Sequence, residues 1–499
     1  MEYSPEQLYQ SFINKKIDRS TLIDQLISVI ENSIDIPQRI TSIHILSNLN
    51  AKDKTIYKLI ENLAISDSNK YVRFTALKYM RDNFIEYALE PMKWAFHHEK
   101  VLQCLIIIVK TLGKMTNHQS RDFLLSILRN INNVAFRENI DEIFKNKLIH
   151  DYQNQELAEI ILDYLIIKEL EIKYGHIDYT VKNARIIGLD LSDISTHVFG
   201  WNAIKKFPDY ISNLESLKFL DLKFNRLINL PTNIGKLTNL ETIDLSYNKI
   251  KSLPTSIGSL KMLKTLNLRY NQLKSIPSSI KSLHYLEKLD LRSNKLTELP
   301  NSLNALNNLE FLDLHGNILK GARLNLSSLK SLNFLELGLN NLENIPNWVK
   351  NFKNLIKLGL GGNKIKRLPK WIDTFDFLEE LYLYDNEIIK LPSSIGNLKK
   401  LIRLDIWNNQ LSSLPDSFSL LSKLKVLNLS WNNFIKLPEW IGNLESLEVL
   451  TLWGNKLEEL PESLAQLKSL KKLDLNFNKI NIIPEFLRQL EKEGLIIYK

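Results

Sequence analysis

The sequence predicts an α/β chain in two parts: a long solenoid of stacked coils carrying one curved parallel β-sheet, preceded by an all-α region. Three observations lead there. Asn225, Asn248, Asn271, Asn294, Asn317, Asn340, Asn363, Asn386, Asn409, Asn432, Asn455 and Asn478 stand 23 residues apart without interruption. Around each, apolar residues recur five and three places before (Leu220 and Leu222, Leu450 and Leu452) and two and five places after (Leu227 and Leu230, Leu457 and Leu460). Ahead of residue 176 this phase is absent, and apolar residues follow helical spacing.

The N-terminal part, residues 1–175, opens on the helix start Ser4-Pro5. "PQRITSIHIL" (37–46) and "YVRFTALKYM" (71–80) align 34 residues apart, with Arg39 opposite Arg73. "DSNKYVRFTAL" resembles the D-x-x-x-x-V-R-x-x-A core of HEAT repeats, with Arg137 as the mark of a later copy. The resemblance implies paired antiparallel helices in a HEAT- or armadillo-like stack. Such a stack either covers the first strand of the solenoid or serves as a separate binding arm. Residues 176–185 are the expected junction.

Residues 186–499 make about thirteen coils and a C-terminal cap. In the L-x-L segment alternate residues face opposite ways, so the leucines point inward and the residues between them face out. Each asparagine stands where the backbone turns and can satisfy unpaired backbone groups in the buried bend, which gives the twelve of them a structural role. A proline follows in eleven of the twelve units, from Pro231 to Pro484, and starts the return segment, where its missing donor does no harm. "IIGLDL" (186–191) reads as the first strand. The next unit is stretched by about eight residues near "STHVFGWN", because Leu191 stands 31 residues before Leu222 while Asn202 and Pro208 keep the 23-residue phase. The unit from Asn317 to Leu339 has Ala322 and Arg323 where Leu and Pro are expected, so its curvature should change. At the end, "EFLRQLEKEGLIIYK" supplies a polar helical turn and a last strand with Ile496 and Tyr498 in the inward phase.

The unit L-x-x-L-x-L-x-x-N-x-L-x-x-L-P-x-x-I-x-x-L resembles the leucine-rich repeat, and its L-P-x-x-I-G-x-L form resembles the intracellular Ras-group class of that family. The resemblance covers roughly 310 of 499 residues. It implies a non-enzymatic interaction scaffold or adaptor that holds a folded protein on its concave face, with a small GTPase or a regulatory phosphatase as the implied partner.

Composition narrows the alternatives. The chain is 44% hydrophobic and 24% charged, which excludes disordered and collagen-like classes. Met1 to Lys16 is polar where a secretion signal is apolar, and runs such as Leu105 to Val109 are too short to cross a bilayer. With a single cysteine, Cys104, no intrachain disulfide forms, and a cytoplasmic location is expected. No sequence pattern for a metal site, phosphate loop, dinucleotide fold or nucleophile elbow survives, so no cofactor, metal or catalytic residue is assigned. His97 and His98 are adjacent and face different ways on a helix, and Cys104 lies in apolar "VLQCLIIIV" as an inert thiol. "LGLGGNK" (358–364) imitates a phosphate loop, but Gly359 and Gly361 are outward strand positions. No helix start follows, and no Ser or Thr comes after Lys364.

Net charge is +9 and uneven: residues 1–180 hold 22 basic against 24 acidic residues, residues 181–499 hold 43 against 32. This excess supports a nucleic-acid binder as the alternative, although Asp221, Asp244, Asp290, Asp313, Glu336, Asp405 and Asp474, four places before their asparagines, form a column read as a solvated acidic stripe. The outward positions give a map of the concave face. Arg269, Arg292 and His315 make its N-terminal end polar. Gly338, Gly359 and Gly361 leave a bare floor in the middle. Tyr382, Tyr384, Trp407, Trp431 and Trp453 make the C-terminal end aromatic, the composition of an interface hot spot. These eight side chains, the three polar and the five aromatic, are the candidate partner-binding residues. A peptide or small-ligand sensor would use the aromatic end as its pocket. Trp348, Trp371 and Trp440, two places after a proline, are expected to pack over the convex segments and receive no function.

Overall fold

A computed structural model describes residues 3–145, 148–194, 203–319, 326–482 and 484–499. The chain divides into two compact units, residues 1–188 and 189–499.

The first unit holds ten α-helices among the described residues: α1 (Pro5–Ile13), α2 (Arg19–Asn32), α3 (Ile36–Asn48), α4 (Lys54–Ser66), α5 (Lys70–Asn83), α6 (Leu89–His98), α7 (Leu102–Lys114), α8 (His118–Arg129), α9 (Val134–Lys145) and α10 (Asn154–Tyr174). Their starts follow from side-chain caps. Ser4 closes a capping box with Gln7, and Asp18, Asp35, Asp53, Asn69 and Asn117 each accept a first-turn N–H. Helices α3, α5, α7 and α10 pack in a row, and α4 packs against α6. Leu46, Ile60, Val72, Met80, Ile108, Leu112 and Ile161 fill the interior with no exposed area. Arg39 and Arg73 make the same joint. Arg39 donates to the Ile30 carbonyl at 2.8 Å and pairs with Asp67, while Arg73 donates to the Asp67 carbonyl at 2.8 Å and forks onto Glu99 at 2.8 and 3.1 Å. Arg137 shares only half of this arrangement. It donates to the Arg129 carbonyl at 2.7 Å but pairs with Asp141 of its own helix.

The same unit carries strand β1 (Asp178–Lys182) and the start of β2 (Arg185–Asp190). The two residues between them, Asn183 and Ala184, have φ of 51° and 56°, the left-handed pair that closes a tight hairpin. Asp163 of α10 is fully buried and accepts from Arg185 Nε and the Ile186 N–H, both at 2.9 Å, while Glu159 pairs with the same guanidinium. Burial is the largest influence on the Asp163 carboxyl and pushes it up to about 6.

The second unit repeats one coil. Strand β3 spans Phe219–Asp221 and β14 spans Lys472–Asp474; between them β4 to β13 are also three residues each, beginning at Thr242, Thr265, Lys288, Phe311, Phe334, Lys357, Glu380, Arg403, Val426 and Val449. From β3 to β14 they pair in parallel and in chain order, inward residue against inward residue, as in Leu381↔Leu404 and Leu427↔Leu450. The residue before each asparagine, from Phe224 to Phe477, then adopts a left-handed φ between 48° and 67° in all twelve units. This turn swings the asparagine inward. Asn363 Oδ1 accepts from the Leu342 N–H at 2.9 Å, and its Nδ2 donates to the carbonyls of Leu337 at 3.0 Å and Leu360 at 2.9 Å. Each side chain thus ties its own bend to the preceding coil. Proline then opens a short 3-10 segment such as Ser393–Asn397. Glycine recurs there at the closest approach of coils: a Cβ on Gly396 would stand 2.0 Å from the Ser417 carbonyl oxygen.

Two expectations meet the structure at the ends of the solenoid. The Asn225 side chain reaches the Leu191 carbonyl across 34 residues, where Asn248 spans 26 to Leu222, so eight more residues lie in that coil. The segment 195–202, where the sequence places the insertion, lies outside the described residues, as do Ala322 and Arg323. At the other end the cap is a helix α11 (Glu485–Lys492) and a strand β15 (Ile496–Tyr498), but its phase is not the expected one. Ile497 pairs with Leu473, and Ile496 and Tyr498 are 55% and 43% exposed. The last unit is one residue longer, which turns every side chain of the strand to the opposite face.

Trp348 is buried edge-on to Phe352, Trp371 packs edge-on to Phe375, and Trp440 lies against Phe418 while donating to Asp416 at 3.0 Å.

Candidate functional site

On the outer face of the sheet two columns of side chains run across the coils, four and two places before each asparagine. A three-residue strand leaves the N–H of the second column without a ladder partner, and the acid of the first column supplies one. Asp221 accepts from the Lys223 N–H at 2.9 Å, Asp290 from Arg292 at 3.0 Å, Asp313 from His315 at 2.9 Å and Glu336 from Gly338 at 2.9 Å. Asn267 and Asn428 accept in the same way. The acidic column is therefore a set of local side-chain turns. It is not a fully solvated stripe either: Asp290 is 8% and Asp313 6% exposed. Burial pushes the Asp313 carboxyl up to about 6, with Asp290 and Glu336 adding to the rise and Arg292 opposing it. Burial likewise raises Asp221, Asp290 and Asp405.

The glycine floor is covered. A Cβ on Gly359 would stand 1.8 Å from Glu336 Oε2, one on Gly338 2.6 Å from His315 Nδ1, and one on Gly361 2.4 Å from the Tyr384 ring. His315 and Glu336 lean in from one side and Tyr384 from the other, so the missing side chains make room for large neighbours and leave no bare patch. Gly362 holds the left-handed turn at φ 67°, and Lys364 donates its N–H to Leu342 at the start of the return segment.

The polar candidates divide. Arg269 lies with its guanidinium 5.2 Å from the Tyr247 ring centre, and both Arg269 and Arg292 keep a buried Nε without a hydrogen-bond partner. His315 is 8% exposed and stands 3.7 Å from Glu336, beneath the outer surface. Beside them the structure brings together a group the sequence reading did not single out. Phe224, Tyr247 and Tyr270 stack at 4.3 and 4.4 Å, each on the left-handed residue before its asparagine. The available signal was an aromatic residue in that place in three successive units.

The aromatic candidates form two groups. Tyr384 and Trp407 stack nearly parallel, 5.7 Å apart at 8°, and both are half-buried. Tyr382 donates to Glu380 at 2.8 Å under the Lys357 ammonium. Trp431 is not on a strand; it holds the left-handed turn at φ 48° with 47% of its surface exposed. It meets Trp453, 37% exposed, edge-on at 5.1 Å, and Trp453 in turn meets Phe477, 77% exposed, at 5.8 Å. Phe477, like Phe224, Tyr247 and Tyr270, is a residue that the reading by columns passed over.

Among the described residues no group of three or more His, Cys, Asp and Glu could hold a metal ion, and no helix is long and apolar enough to cross a membrane. Cys104 is buried and its thiol is pushed up to about 12, chiefly by burial.

A leucine-rich repeat region pattern matches residues 205–269, 255–359 and 416–492, and a leucine rich repeat pattern matches 376–434. No curated protein matches the chain. Among solved structures, a leucine-rich-repeat protein of Leptospira interrogans is 31% identical, covering 63% of this chain and 90% of that one with a TM-score of 0.53. An internalin of Listeria monocytogenes shares the fold at 22% identity, 64% and 91% coverage and a TM-score of 0.53. TLR13, solved in complex with ssRNA13, is 29% identical over 60% of this chain and 46% of its own length, with a TM-score of 0.53.

Proposed function

We propose, from the premise that this chain belongs to the leucine-rich-repeat proteins, that it is a non-enzymatic scaffold which holds a protein partner on the outer, concave face of its sheet. The observation that carries this reading is the exposed aromatic group at the C-terminal end. Trp431 and Phe477 expend left-handed backbone, and all three residues with Trp453 expend open surface, on rings that no buried core needs. Large rings held by packed neighbours bind with little loss of conformational entropy, which is why Trp and Tyr dominate hot spots. The leucine-rich-repeat protein of Leptospira interrogans shares the repeat fold on which the scaffold reading rests. The narrower partner, a small GTPase or regulatory phosphatase, rests on the L-P-x-x-I-G-x-L form of the repeat alone. A cytoplasmic location belongs to the same reading and is supported by one inert cysteine in 499 residues. A HEAT-like identity for the helical unit is supported by the shared Arg39 and Arg73 joint.

The nucleic-acid alternative finds less support. Lysines just ahead of the strands are tied to acids, as Lys218 and Lys264 are to Glu241, and the sheet face carries carboxylates that repel phosphates.

The test is affinity capture of a partner from cell extract, comparing wild type with Trp407→Ala/Trp453→Ala. Recovery should fall at least about tenfold, while thermal unfolding moves by no more than about 3 °C. A collapse of stability would place the rings in the core, and undiminished capture would move the partner elsewhere.

A further inference from the structure

The second column, two places before each asparagine, reads Tyr384, Trp407, Ser430, Trp453 and Asn476 across five successive coils. Ser430 is 6% exposed, a recessed floor between two taller indoles. Neighbouring strands lie about 4.8 Å apart, so the backbones of Trp407 and Trp453 stand about 10 Å apart. A planar group with a ring on either side needs about 7 Å, twice the usual stacking distance of atoms in contact. The slot between the two tryptophans thus admits one flat guest. Trp431 does not fill it. A Cβ on Gly454 would lie 3.0 Å from the Trp431 ring, so that ring leans over the following coil, away from Trp407. On the other side Tyr384 backs Trp407 in a parallel stack and holds its plane.

The charged residues of the outward columns around the slot are all acids. In the five coils from Asn386 to Asn478, the two outward columns and the turn residue hold Asp385, Asp405 and Asp474 and no Lys or Arg. The cations of these coils, Arg403 and Lys472, stand at the strand starts, Arg403 two residues before Asp405 on the same strand. Asp405 ends its strand two places before Trp407, and its Oδ1 is buried with no hydrogen-bond partner. An acceptor without a donor lies beside a slot between two electron-rich ring faces.

We propose that this slot receives an arginine side chain of the protein partner, its guanidinium sandwiched between Trp407 and Trp453 and donating to Asp405. Guanidinium is planar, stacks on indole and carries forked donors, which suits the slot better than the compact ammonium of lysine. An anionic nucleotide could stack there but would meet three carboxylates. The inference rests on the aromatic end being the partner surface, and it names what the partner presents.

The experiment follows tryptophan emission while the full-length protein is titrated with acetyl-Gly-Arg-Gly-amide, its citrulline counterpart of the same shape without charge, and uridine 5′-monophosphate. The arginine peptide should quench saturably and bind at least about tenfold more tightly than the citrulline peptide. Asp405→Asn, which keeps the acceptor for the local backbone N–H, should weaken it by a similar factor with unfolding temperature unchanged, and Trp453→Ala should abolish saturation. Equal binding of the arginine and citrulline peptides, tighter binding of the nucleotide, or no saturation by about 10 mM peptide would overturn the proposal. The two readings fail separately. If capture is lost in the double tryptophan variant while citrulline equals arginine, the partner surface stands and the arginine does not. If the arginine peptide binds but capture survives the double variant, the slot stands and the partner docks elsewhere.

Discussion

Asp313 does two things at once, and they oppose each other. Its carboxylate accepts the His315 N–H in a local turn, which the strand needs, yet it is 6% exposed beside Asp290 and Glu336. With its carboxyl raised from 3.8 to about 6 in the fold, the folded state holds an extra proton between those values. The protonated form is favoured below about pH 4, and the advantage is lost as pH rises through 6, leaving a neutral-pH penalty of up to about 3 kcal/mol. Asp313→Asn keeps the acceptor and removes the charge. We expect it to be more stable than wild type by about 1–3 kcal/mol at pH 7.5, the gain shrinking toward zero at pH 4, as read from urea midpoints at pH 7.5, 6 and 4. A pH-independent loss would show that the buried charge is not what Asp313 costs the fold. The sequence displayed the acid column as a recurring residue type. It did not display the burial, because that depends on how far Arg292, His315 and Glu336 lean across neighbouring coils.

At the scale of one coil, the asparagine decides whether the bend can be buried. Asn363 satisfies one N–H of the previous coil and the carbonyls of Leu337 and Leu360, in a site 7% exposed. Asn478, in the last unit, makes the corresponding bonds to Leu457, Leu452 and Leu475 but is only half-buried, so water can replace it. Asn363→Ala should cost about 3–5 kcal/mol through several stranded backbone groups, and Asn478→Ala about 1 kcal/mol. Chemical unfolding of the two variants checks the difference, and equal costs would mean that burial of the bend is not the source. The twelve asparagines, the three-residue strands and the prolines were legible because each coil obeys the same constraint as its neighbours. Departures were harder to read. The final strand slips by one residue after Gly494, at φ 108°, and places Ile497 instead of Ile496 in the leucine register. Local composition is equally apolar in either phase, so only the spacing of the coil decides. The glycines misled for a related reason: an absent side chain reads as open space until the neighbours that occupy it are known.

Over the whole chain, repetition made the solenoid readable, while the helical unit was readable only as helices and a degenerate arginine motif. Arg39 and Arg73 share a joint that Arg137 does not complete, which is why two aligned segments did not extend to a third. Charge also has to be judged at this scale. The repeat part carries the basic excess, but four of its lysines are committed in ladders that cross three coils. Glu241 bridges Lys218 and Lys264 at 2.8 and 3.0 Å, and Glu448 bridges Lys425 and Lys471 at 2.9 and 2.6 Å. The lysine pair holds the Glu448 carboxyl down at about 2. A polyanion must compete with these acids, and each phosphate contact it gains is weakened by the carboxylate already there. Full-length protein should therefore leave a heparin column below about 0.2 M salt, within the range where nonspecific phosphate contacts are lost. Replacing Glu241 and Glu448 by lysine releases both ladders and should move elution to clearly higher salt. If the wild-type protein is held as strongly as that variant, the lysines act as a free basic surface, and a phosphate-bearing partner regains the support that the ladders remove.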